Sequence, residues 1–335
     1  MTVATSTYCS VAALALWCGC SPAPVSGPQA PAIVVVEAGA RLETAASIVF
    51  TEGPAADAAG NVYFSEIRGN RILKYSPDGQ VTVFREPSHR ANGLAFDPQG
   101  RLIACEGAGM GEAGGRRLTR TDLAGGRVEV LAERYEGKRL NSPNDLDVDA
   151  QGRTWFTDPR YGDQSGRELE TEDVYRIEAD GKLTRVLTRP DIHKPNGILV
   201  SPDGKTLFVA DTREGPPRLA TIRKFDIQAD GRVANGRVHY SFGTGRGVDG
   251  MVMDVGGNIY GAAGTNTGPP DNLAGIYVIS PEGKLVDRIP IPEDAVTNCT
   301  FGGPDLKTLF VTAGKTLYRM RMQNRGHLVY PPAKN

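Results

Sequence analysis

One phrase of strand, tight turn and returning strand recurs six times along this chain, and that repetition limits the fold more than any other feature. Each unit opens on a polar residue, crosses a short apolar stretch and turns through D-x-x-G or P-D-G. It then returns as a second apolar strand. Asn92-Gly93 leads through Asp97 and Gly100 to Leu102–Cys105, and Asn196-Gly197 leads through Pro202-Asp203-Gly204 to Leu207–Asp211. Proline presets φ in such turns and glycine accepts positive φ. A third strand of alternating pattern follows, as at Ile72 and Lys74.

The units start at Glu52, Asn92, Asn144, Asn196, Asp249 and Asn298, at spacings of 40, 52, 52, 53 and 49 residues. Four short strands fit that length, and six such sheets close a ring. The expected fold is all-β: a six-bladed β-propeller of four-stranded antiparallel blades around a central channel, over residues 32–328. The segment from Ala32 to Ile48 is expected to supply the outer strand of the last blade, so that no sheet edge stays open. Residues 329–335 form a short tail. The lack of intervening helical patterns excludes doubly wound and TIM-barrel folds.

Formal net charge is −1 with Lys/Arg and Asp/Glu nearly balanced, which argues against a nucleic-acid footprint. The first 20 residues read as an export signal: Val11–Trp17 is apolar, too short to span a bilayer, and is followed by Cys18-Gly19-Cys20. Cys20 after Gly19 is similar to a bacterial lipoprotein cleavage site, which makes Cys20 the expected lipidation residue. Residues 21–31 are a Pro/Ala/Ser-rich linker. The chain is therefore expected outside the cytoplasm, as a secreted, periplasmic or lipid-anchored monomer. In the globular part only Cys105 and Cys299 remain. They have no metal-ligand spacing, and are expected as buried thiols, with a disulfide between them as the alternative.

Aligned in a propeller, the six leading residues meet at one rim of the channel. All six carry side-chain oxygen and none carries sulfur or imidazole. Two carboxylates with several amide carbonyls suit a hard divalent cation, so the channel is expected to bind Ca2+, with Mg2+ or Mn2+ next. Zn2+ stays open, although it usually recruits His or Cys. Taken singly, an Asn-Gly such as Asn92 or Asn196 reads as a turn residue; Glu52 does not.

The strings Glu52-Gly53-Pro54, Asn141-Ser142-Pro143-Asn144-Asp145, Phe156–Pro159 with Tyr161-Gly162, Pro195-Asn196-Gly197, Asp249-Gly250-Met251 and Thr297–Gly303 occur in this order. Over about residues 45–320 the chain thereby resembles the gluconolactonase/regucalcin family of six-bladed propellers. The resemblance implies a divalent-metal hydrolase, mostly of lactones. It matches Glu52, Asn196 and Asp249 to metal ligands, and Asn144 to a residue that binds metal or substrate. Asn92 and Asn298 are left as supporting positions that orient ligands or turn the chain.

Such a site would act on a small-molecule sugar lactone, with Asp249 as base and Glu52 beside it. A carboxylate on a metal is a weak base, so Asp249 could instead serve as nucleophile or as ligand only. His193 is expected near the same rim, as a proton shuttle or an exposed loop residue. Arg246 is expected to meet substrate or to be solvated. Asp158 and Asp211 end second strands and are expected at the opposite end of their blades. The alternatives are a non-catalytic sugar- or protein-binding propeller with structural calcium, and a metal-dependent esterase or phosphotriesterase. The chain has no G-x-S-x-G and no phosphate-cradling glycine loop.

Overall fold

The computed structural model describes residues 35–48, 50–109 and 114–331. The export signal, the linker and Cys20 lie outside the described residues. The rest forms six four-stranded antiparallel sheets, five of them in sequential order from the channel outward. In blade 1 the strands are Thr51–Ala56, Val62–Glu66, Arg71–Tyr75 and Val81–Arg85. The inner strands of blades 2 to 6 are Ala91–Phe96, Leu146–Val148, Pro195–Val200, Met251–Met253 and Val296–Gly302. Blade 6 takes its outer strand, Glu43–Ser47, from the start of the fold. The ring is thus closed by pairing first with last, as the segment before Glu52 foretold. A two-stranded ribbon, Arg134–Tyr135 with Lys138–Arg139, sits between blades 2 and 3 in the chain. The one helical turn among the described residues is Pro270–Asn272.

The turns that join first to second strands explain the D-x-x-G signature. Asp57 Oδ1 accepts from the amides of Ala59 and Asn61, and Asp97, Asp149 and Asp254 repeat this two and four residues on. The glycine closing each turn, such as Gly60 at φ +87°, is in the left-handed region that a Cβ disfavours. The core is equally modular. Buried apolar side chains fall into six clusters, each between two neighbouring blades. Phe310 and Leu317 of blade 6 pack with Phe64 of blade 1, so closure is sealed by apolar burial as well as by hydrogen bonds. Cys105 belongs to the cluster between blades 2 and 3 and Cys299 to that between blades 5 and 6. Both are free buried thiols, so the disulfide alternative does not hold.

His239, on the outer strand of blade 4, is 7 % exposed and neither ring nitrogen has a hydrogen-bond partner among the described residues. Its ring meets Phe208 edge-on at 5.1 Å. Burial first, and Lys224 next, lower its pKa from 6.5 to about 4. Between those values the unfolded chain binds a proton that the folded chain does not. The stabilisation is therefore full above pH 6.5 and lost as pH falls toward 4, by about 3 kcal/mol at most. Urea midpoints at pH 7 and pH 5 are expected to lie closer together in His239→Phe than in the wild type. An unchanged gap between them would refute this.

Candidate functional site

The six leading residues do converge, and glycine is what lets them. Gly53 follows Glu52, Gly93 follows Asn92, Gly197 follows Asn196 and Gly250 follows Asp249. A Cβ on Gly53 would lie 2.2 Å from the Asn92 carbonyl oxygen, and on Gly93 it would lie 2.7 Å from that of Asn144. On Gly197 it would lie 2.4 Å from the Asp249 carbonyl oxygen, and on Gly250 it would overlap the Asn298 side chain. Neighbouring inner strands also bond directly there: the amide of Gly93 donates to Asn144 O, and that of Gly197 to Asp249 O. Of these four glycines only Gly53, at φ +42°, needs left-handed backbone. The Asn-Gly pairs are thus points of close approach between blades rather than turns, which corrects the reading of Asn92 and Asn196 taken singly.

At this rim Glu52 is 5 % exposed and its Oε2 accepts only from the next amide, Gly53, among the described residues. Asp249 is held at both oxygens. Asn196 Nδ2 donates to Oδ1 at 2.7 Å, and Arg246 Nη2 donates to Oδ2 at 2.8 Å. Burial, followed by the charge of Asp249, holds Glu52 well above the usual carboxylate range, and Asp145 adds to the effect. Burial also raises Asp249, against the opposing pull of Arg246 and Asn196. A buried carboxylate, Glu52, therefore faces the repelling charge of a second, Asp249, whose side chain is 20 % exposed.

Asn196 sharpens the point. With its Nδ2 committed to Asp249, its Oδ1 is buried with no donor in reach among the described residues. A buried carbonyl oxygen normally has a partner, and beside two crowded carboxylates the partner that fits is a cation. The donors fit a hard divalent ion: Glu52, Asp249, the amide oxygen of Asn196, and Asn144, which is half-buried on the next blade. No group of three or more His, Cys, Asp or Glu is set as a metal cage among the described residues, so the fit rests on this mixed carboxylate–amide set.

The remaining candidates divide. Asn298 is buried, accepts from the Cys299 amide and donates to Asp145 Oδ1 at 3.4 Å, a supporting role. Asn92 meets blade 1 through its backbone carbonyl, which accepts from Ser65 Oγ. Arg246, its side chain 29 % exposed, takes a supporting position. Besides Asp249 it donates to the carbonyls of Gly264 and Val296, and so acts as a clamp on Asp249. His193 Nδ1 lies 3.3 Å from Asp211 Oδ2.

Asp158 and Asp211 lie at the same end as the site, not the opposite one. Antiparallel pairing sets the end of a second strand beside the start of the first: Asp211 pairs with Pro195, and Thr157 O accepts from the Asn144 amide. Asp158 accepts from the amides of Asn141 and Ser142, and Asp211 from those of His193 and Lys194. Each braces the loop that delivers a leading Asn. Asp145 was not singled out from the sequence. It fills the place that glycine holds in blades 1, 2, 4 and 5, and burial raises its pKa to about 7, with the charge of Asp249 adding to the rise. That break in the Asn-Gly pattern was the available signal.

The fold has counterparts among known proteins. The family profile described as "SMP-30/Gluconolactonase/LRE-like region" matches residues 50–315. A gluconolactonase from Zymomonas mobilis is 29 % identical over 309 residues, 84 % of this chain and 81 % of that protein. A 6-deoxy-6-sulfogluconolactonase from Pseudomonas putida is 26 % identical over 76 % of this chain and 79 % of its own length. Among solved structures, a gluconolactonase from Xanthomonas campestris is 36 % identical with a TM-score of 0.72, covering 84 % of this chain and 89 % of that one. The calcium-binding protein regucalcin from Agrobacterium tumefaciens shares the fold, with a TM-score of 0.68 at 21 % identity over 85 % and 94 % of the two chains.

Proposed function

This chain belongs to the SMP-30/gluconolactonase/LRE-like family, and we propose that it is a divalent-metal-dependent hydrolase that opens the ring of a sugar lactone. The observation that carries this reading is the buried Glu52 facing the charge of Asp249, with the unpartnered oxygen of Asn196, whose Nδ2 donates to that same Asp249. A scaffold with no chemistry to perform gains nothing from two repelling carboxylates. Glu52, Asn144, Asn196 and Asp249 would hold the ion, with Ca2+ the expected one. When bound, a divalent cation polarises the lactone carbonyl and offsets the charge that develops on its oxygen.

The chain's own groups supply the rest. Asp249, oriented at both oxygens by Asn196 and Arg246, accepts a proton from the attacking water. Water adds to the carbonyl carbon, the ring C–O ester bond breaks, and the proton passes to the departing ring oxygen. The product is the open hydroxy acid. Arg246 keeps Asp249 aimed while its proton load changes. The apolar run at Val11–Trp17 and Cys20 would place this activity outside the cytoplasm.

Titrating the acid released from glucono-δ-lactone tests the reading. Turnover is expected to fall by about 10²-fold or more after chelation and to return with CaCl2. Full turnover in chelator would overturn the metal requirement, and no turnover with any divalent ion would overturn the lactonase.

A further inference from the structure

Tyr161 is the only aromatic among the exposed large hydrophobic side chains of the described residues, at 46 % exposure. Val81, Val83, Val128, Val130, Val238 and Leu285 stand on outer strands of blades, and Val255 stands in a turn after the inner strand of blade 5. Tyr161 stands instead at the mouth of the site. Its ring centroid lies 5.1 Å from Lys194 Nζ, two residues before Asn196. Desolvation by the surrounding chain, then the charge of Asp249, raises the Tyr161 phenol well above its ordinary pKa.

The residues around it hold it in place. Arg160, next in the chain, is buried and donates to the carbonyls of Asp163, Asn141 and Ser165, which staples the loop. Gln164 Nε2 donates to the carbonyls of Arg160 and Gly162. Lys194 is mostly covered, and its ammonium donates to Glu214 Oε1 at 2.8 Å, itself 65 % exposed. Among the described residues one donor of the ammonium is taken by a side chain, and an ammonium has three to offer an incoming acceptor.

We propose that Tyr161 and Lys194 form the wall that selects polyhydroxylated lactones. The apolar C–H face of the sugar ring packs on the Tyr161 ring, and Lys194 donates to ring hydroxyls. A rigid aromatic supplies contact area at small entropic cost, and a fixed donor selects for the hydroxyl it meets. This rests on the lactonase reading for its substrate class, and the test separates the two.

The expected result is a fall of about tenfold in kcat/KM for glucono-δ-lactone in Tyr161→Ala, carried by KM with kcat held. Tyr161→Phe is expected to keep most of the wild-type value, and Lys194→Met to lose it as Tyr161→Ala does. With δ-valerolactone, which has the same ring and no hydroxyls, Lys194→Met is expected to match the wild type, whereas Tyr161→Ala still loses, because the C–H face of that ring packs on the same aromatic. An equal loss on both lactones in Lys194→Met, or no loss on either in Tyr161→Ala, overturns the wall. Calorimetric binding of D-gluconolactam, read without turnover, is the independent arm. If the wild type hydrolyses neither lactone yet binds the lactam about tenfold tighter than Tyr161→Ala, the lactonase reading falls and the wall stands. If the two proteins bind the lactam equally, or neither binds it, the wall falls whatever the turnover.

Discussion

Asp249→Asn at saturating calcium is expected to lower lactone turnover by about 10²–10⁴-fold, the range for loss of a general base. The substitution keeps shape and volume. The Asn196 and Arg246 contacts each lose a charged acceptor, but the Gly197 amide still meets the Asp249 backbone carbonyl, so the rim stays built. Glu52→Gln is expected to be nearly as costly, for a different reason: one negative charge then remains where two would hold the proposed ion. These variants separate chemistry from stability by sign. Glu52 ionises with difficulty because burial and Asp249 both oppose it, so its charge destabilises the protein whenever no cation offsets it. In chelator, Glu52→Gln should therefore melt higher than the wild type. In calcium the order should reverse, because the wild type binds the ion more tightly and gains more from it. Calorimetric scans in both conditions check this, and a Glu52→Gln that melts lower in chelator as well would mean the two carboxylates are not in conflict.

The rim was legible in the sequence because it is repeated. Six polar residues at near-regular spacing fix six inner strands, and the D-x-x-G turns fix where each strand ends. Three features of the site were not legible, each for a physical reason. The position of Asp211 depends on antiparallel pairing, which returns the second strand to the level where the first began, so an end along the chain is a beginning in space. The part played by Arg246 depends on carbonyls 18 and 50 residues away, contacts that no local pattern encodes. Asp145 hid because it interrupts a motif rather than making one; its carboxylate answers to Asp249 and Asn298 on other blades. Glycine was the least legible of all. Its usual reading is a turn, and here its service is to leave no side chain.

Gly197→Ala puts that service to the test. Gly197 has no positive φ, so alanine suits the backbone and only space opposes it. The added Cβ would meet Asp249 O at 2.4 Å and Gly250 Cα at 3.1 Å, both main chain, with no flexible side chain to yield. Blade 4 must therefore back away from blade 5, stretching the 2.6 Å bond from the Gly197 amide to Asp249 O and separating Asn196 from Asp249. Overpacking of this kind costs about 1–3 kcal/mol or more. A displacement near 1 Å between catalytic groups costs about 10²-fold in rate. Gly181→Ala is the matched control: φ is +86° and nothing lies within 4 Å of the new Cβ. It should lose about 1–2 kcal/mol to backbone strain and keep its turnover. Measured by urea midpoint and lactone turnover, Gly197→Ala should lose both, and Gly181→Ala stability alone. Equal turnover in the two would show that the glycines only let the ring close, and that the metal donors tolerate the shift. A selective loss in Gly197→Ala would show that the same close approach that closes the propeller also sets the distances within its site.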